Sequence, residues 1–122
     1  MEDCSEEEAQ AFYDACERLY ASLDHDVAWV LDTTKMTQVT ARQRRMSADH
    51  VSRMRDKMRE RVVAIAFVIQ SPLIRGAITA IAWLVSLPFR HQTFKTREEA
   101  IAWVERRLLV RQQAAGGARP QA

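Results

Sequence analysis

Apolar residues recur at spacings of three and four over Ala9, Phe12, Cys16, Leu19 and Leu23, behind Ser5 and Glu8 at capping-box spacing. That pattern predicts an amphipathic helix over residues 5–22. Asp24-His25-Asp26 interrupts it, and Val27 to Leu31 follows as an unbroken apolar run of the kind that suits a strand covered on both faces. Thr40 and Gln43 repeat the capping-box spacing and open a second helix to about residue 59, with Ser47, Val51, Met54 and Met58 as its inner stripe. A second continuous apolar and β-branched run, Val62 to Ile69, predicts another buried strand. Ser71 and Pro72 then supply an N-cap and a first-turn proline for a helix to about Val85. His91 to Lys95 reads as a short third strand. Thr96 with Glu99 caps a last helix whose buried stripe is Ala100, Trp103, Val104 and Leu108.

Strands alternating with helices in the order α-β-α-β-α-β-α predict a small three-layer α/β domain, a mainly parallel sheet flanked by helices. One domain over residues 1–113 is expected, with the aperiodic tail 114–122 frayed or disordered. The third helix is apolar almost all round. Its wheel is read with Leu73, Ala77, Ala80, Ile81 and Leu84 facing the sheet and Arg75, Thr79, Trp83 and Ser86 outward, Ile78 and Val85 flanking Trp83. Gly76, Ala77 and Ala80 are expected to let helix and sheet close tightly on each other.

Composition changes this picture little: 48% hydrophobic, 28% charged and a net charge of +2 describe an ordinary globular domain. Charge is nevertheless segregated. Nine acidic residues stand against Arg18 alone in residues 1–26, whereas nine bases stand against Asp49, Asp56 and Glu60 in residues 33–61. The two surfaces are expected to steer association between chains or with a partner, weakened by salt. Arg42, Arg44, Arg45 and the bases from Arg53 to Arg61 interleave with no aromatic residue and with acids four apart, so no specific nucleic-acid binding is expected. Cys4 and Cys16 match neither a zinc clip nor a redox pair, and the acidic start MEDCSEEE lacks the basic lead of a secretory signal, which points to a cytoplasmic setting. The longest uncharged piece, Gly76 to Phe89, has 14 residues, short of the about 20 that a membrane span requires. His25, His50 and His91 are isolated and read as surface residues. No catalytic, metal-binding or phosphate-cradling motif is present, and no cofactor is called for.

VAWVLDTTK, RVVAIAFVIQSPLIRGAITAIAWL and the ending FKTREEAIAWVERRL resemble the SpoIIAA-like branch of STAS domains, also labelled STAS/SEC14-like. The resemblance covers roughly residues 10–110 and implies a non-enzymatic regulatory domain of bacterial signalling. Two departures stand out. Members usually open with one or two strands before the first helix, and this chain begins at the helix, leaving an apolar strand edge unpaired. The family's Asp-Ser phosphorylation motif is absent: the first strand ends Leu31-Asp32-Thr33-Thr34-Lys35.

Two sets of residues are candidates for function. Trp83, with Ile78, Thr79 and Arg75, is placed to anchor an interface, or else to cover the sheet margin within one chain. Asp32, with Thr33, Thr34 and Thr40, stands where α/β folds hold ligands and would form a regulatory turn; alternatively Asp32 only caps the turn. The leading expectation is a protein–protein interaction domain, as a homodimer or with a protein signalling partner. The alternative is a carrier of a small apolar or lipid ligand held between helix and sheet, which a closed helix–sheet gap disfavours.

Overall fold

A computed structural model describes residues 2–117. Its elements are α1 (Glu6–Ala21), β1 (Val27–Asp32), α2 (Ala41–Arg61), β2 (Val62–Val68), α3 (Pro72–Leu84), β3 (Arg90–Phe94) and α4 (Arg97–Gly117). Every expected element is present, and all but the last lie within a residue or two of their expected limits. The capping signals operate as the sequence implies. Ser5 and Glu8 exchange bonds at the start of α1, Thr40 and Gln43 do so at α2, and the Ser71 hydroxyl accepts from the Ile74 amide behind Pro72. The last helix runs further than expected. It continues through residues 114–117, since two alanines at the end of a well-formed helix propagate it readily; residues 118–122 of the expected tail lie outside the described residues.

The strands form a parallel sheet in the order β1-β2-β3. β2 is central, and its alternation divides the core in two. Ile65, Phe67 and Ile69 turn to one face, where Tyr20 of α1, Leu23 just after that helix, Val51 and Met58 of α2 and Ile74 of α3 join them. Ala64, Ala66 and Val68 turn to the other, where α4 seats Ala100, Trp103 and Val104. Three helices therefore cover one face and a single helix the other. β1 is an edge strand of this sheet, and among the described residues the segment before α1 adds an isolated bridge between Glu2 and Lys35.

The charge segregation is resolved inside the chain. α1 packs along α2, with Arg53 Nε 2.8 Å from Glu17 and Arg42 Nε 3.2 Å from Glu6. The acidic and basic surfaces thus partly neutralise each other across one helix pair.

Candidate functional site

The third helix is turned differently from its expected wheel. Ile74 and Ala77 are buried, Ile78 and Val85 pack on the core, and Leu73 and Leu84 are 66% and 56% exposed. On a 3.6-residue wheel, Leu73, Ala80 and Leu84 lie within about 40° of one another, with Gly76 and Trp83 about 20° apart beside them. The inward arc is the β-branched one, Ile74, Ile78 and Ile81, because α3 rests chiefly on α2 and meets the sheet side through these residues. Ile78 therefore leaves the outward set. Trp83 stays in it at 84% exposure, with Arg75 and Thr79 also exposed. The Thr79 hydroxyl donates to the Arg75 carbonyl one turn back. Gly76 makes no close approach to the sheet: a Cβ built there would meet nothing within 4 Å.

With that closure absent, the space between the three helices and the sheet stays open, contrary to expectation. An inner chamber of about 130 Å³ is walled by Tyr13, Cys16, Trp29, His50, Ile65 and Ile81 among others, without a single charged side chain. It adjoins an outer chamber of about 350 Å³, and the two share Phe12, Tyr13, Leu31, Ser47, Phe67, Ile78 and Ile81 as walls. Glu2, Glu8 and Gln43 stand at the outer chamber's rim.

His50 is 6% exposed and so is not the surface residue expected of it. Its ring lies 4.8 Å from that of Tyr13, whose hydroxyl is hydrogen-bonded to Ser47, and its Nδ1 has no hydrogen-bond partner among the described residues. The signal was available in α2: His50 follows Ser47 by three and precedes Val51 on the stripe read as the inner face. Burial, the dominant influence, and the nearby Arg53 hold the imidazole below the usual histidine value, against the pull of Glu17. Burial also raises the Tyr13 hydroxyl and the Cys16 thiol, and pushes Tyr20 up to about 12, so this wall is uncharged. The unfolded chain consequently binds a proton on this histidine that the folded chain resists, and stability falls as pH drops below about 6.5. Urea unfolding between pH 7 and pH 5.5 is expected to show this loss in the native chain and a smaller one in His50→Phe; identical slopes would contradict it.

The candidate turn after β1 is held by bonds within the turn and by one distant partner, Arg97. Asp32 accepts from the Thr34 hydroxyl and amide and from Arg97 Nε and Nη2 at 3.1 and 2.8 Å. These donors, Thr34 first, keep its carboxyl far below the usual range. Thr33 is buried and its hydroxyl donates to the Val68 carbonyl, tying the turn to β2. Thr40 is spent on the α2 cap. The structure thus brings Asp32, Thr33 and Thr34 together, links them to the start of α4 through Arg97, and leaves Thr40 outside that bond network. Among the described residues no cluster of His, Cys, Asp and Glu is arranged to hold a metal ion, and no helix is long and apolar enough to cross a membrane.

Compared with known proteins, residues 1–105 match the model of the SpoIIAA-like family. No curated protein and no solved structure gives a significant match.

Proposed function

The chain belongs to the SpoIIAA-like family, STAS domains that are generally regulatory and non-enzymatic, and from that premise we propose that it is itself a non-enzymatic docking domain that pairs with a second copy through α3. The observation that carries this reading is the outward stripe Leu73, Gly76, Ala80, Trp83 and Leu84, apolar throughout and crowned by a tryptophan that is 84% exposed. The stripe is complementary to itself. Turned about a two-fold axis between Thr79 and Ala80, Trp83 of each copy meets the notch at Gly76 of the other, where the chain's own atoms leave room for a side chain. No acid lies on α3 and its lone base, Arg75, sits off the stripe, so the pairing opposes no like charges there. Aromatic anchors of this kind carry most of the energy of an association.

A dilution series followed by sedimentation velocity tests the pairing. A dimer at tens of micromolar that dissociates on dilution is expected; a 14.0 kDa species alone at every concentration would refute it.

A second reading is favoured by one specific observation, the open chambers beneath α3. We propose that they take a small apolar ligand. The two adjoining volumes of about 130 and 350 Å³ reach the size of small-molecule sites, and their walls are aromatic and aliphatic. The two readings are compatible, since the stripe and the chambers lie on opposite arcs of the same helix.

A further inference from the structure

We propose that the ligand of the inner chamber is a neutral, largely apolar molecule with a single hydroxyl group, and that this hydroxyl is bound at His50 Nδ1. The inference rests on the apolar-ligand reading above and names the chemistry of that site. Its starting point is a pair of buried polar atoms on the chamber's wall residues that no described residue satisfies, His50 Nδ1 and Trp29 Nε1. Of the two, only the histidine nitrogen can accept as well as donate. His50 is more than nine-tenths buried on the wall, and no described residue bonds its Nδ1. Because that atom has almost no accessible surface, a ligand hydroxyl reaches it by a turn of the imidazole toward the chamber. A buried ring nitrogen without a partner is costly, and natural folds retain such groups where something completes them.

The surroundings decide what kind of group that is. No cation lines either chamber, and Glu2 and Glu8 stand at the only charged part of the rim. A carboxylate or phosphate would lie buried beside a neutral imidazole, with no counter-charge to offset its desolvation. A cationic head would meet neutral Tyr13, Ser47 and Cys16 inside. A hydroxyl has neither problem, because it donates to or accepts from either tautomer of a neutral histidine. Size and shape narrow the class. The inner chamber is close to the about 150 Å³ of an engineered apolar cavity that admits benzene, and Tyr13, Tyr20, Trp29 and Phe67 offer ring faces and edges. A phenol fits this description: ring and hydroxyl within the inner chamber, an alkyl substituent passing between Ile78 and Phe67 into the outer one.

The test compares 4-propylphenol with propylbenzene by isothermal titration calorimetry on the full chain and on His50→Phe, which preserves an aromatic ring stacked on Tyr13. In the native chain the phenol is expected to bind at least as tightly as propylbenzene. His50→Phe is expected to weaken the phenol about tenfold and to alter propylbenzene less than twofold. Should His50→Phe fail to fold, the imidazole nitrogen resonances of the native chain serve instead, shifting on addition of the phenol and not of propylbenzene. Equal weakening of both probes, an unchanged phenol affinity, or imidazole resonances that do not respond would overturn the hydroxyl site while leaving the apolar-ligand reading intact; a buried water on Nδ1 would produce this result. Binding of neither probe would overturn both. Decanoate binding more tightly than the phenol would also overturn the proposal, by showing that the chambers accept an anion.

Discussion

Trp103→Ala is expected to lower the unfolding free energy by about 3–5 kcal/mol, the largest loss of any single substitution considered for this chain. Trp103 is 9% exposed and is the only large ring that α4 places on the sheet. Its neighbours explain why the loss is at the upper end. β2 presents Ala64 and Ala66 to it, and α4 itself contributes Ala100, all of them fully buried. Alanines have no rotamers with which to fill a void, and Phe94, its ring centre 5.6 Å away, is the one nearby side chain large enough to move in. The parallel sheet has a single helix on this face, so the hole would also loosen the only cover of Val68 and Val30. Urea unfolding measures the effect. A loss below about 1 kcal/mol would mean that α4 is not seated as described.

The same residues show what was legible in the sequence and why. Trp103, Ala100 and Val104 recur at spacings of three and four between charged residues, so the inward face at the start of α4 is legible even though Ile101, Leu109 and Val110 further round are exposed. The β2 run is equally clear, because a strand buried on both faces has no polar positions to misplace. α3 is the opposite case. Leu73, Ala77, Ala80, Ile81 and Leu84 make one plausible apolar arc and Ile74, Ala77, Ile78, Ile81 and Val85 another, about 70° apart. Periodicity alone gives no reason to choose between two apolar arcs. What settles the choice is tertiary: α3 leans on α2, and the β-branched arc packs there while the leucines are left outside. The error has consequences for the site, since it is the rotation that both exposes the stripe and holds the chambers open. His50 was missed for a related reason. A histidine among Arg45, Asp49 and Arg53 looks like part of a charged face, and only its offset of three from Ser47 places it on the inner one. The turn at Asp32 was legible in its local part, an aspartate whose carboxyl bonds the amide two residues on, whereas its bond to Arg97, 65 residues later, has no signature in sequence.

If α3 pairs with a second copy, Trp83→Ala should weaken the dimer by about 2 kcal/mol or more, roughly thirtyfold in Kd, while the stability of the monomer changes by less than about 0.5 kcal/mol. A residue with 84% of its surface exposed has little to lose within its own chain, so the two readouts separate. One substitution sharpens the contrast, because it moves the two quantities in opposite directions. Gly76 lies inside a helix, has no positive φ, and has empty space where a side chain would begin. Gly76→Leu should therefore stabilise the monomer by up to about 1 kcal/mol through helix propensity. In the dimer the same leucine would occupy the notch that receives the partner copy's tryptophan, and association should weaken about as much as it does in Trp83→Ala. No account in which α3 is merely an exposed helix predicts a variant that folds more stably and associates less. Sedimentation velocity and urea unfolding on both variants, with Trp103→Ala as the fold control, decide the matter. A dimer indifferent to both Trp83→Ala and Gly76→Leu would place the contact elsewhere, with the open edge of β1 as the next surface to probe.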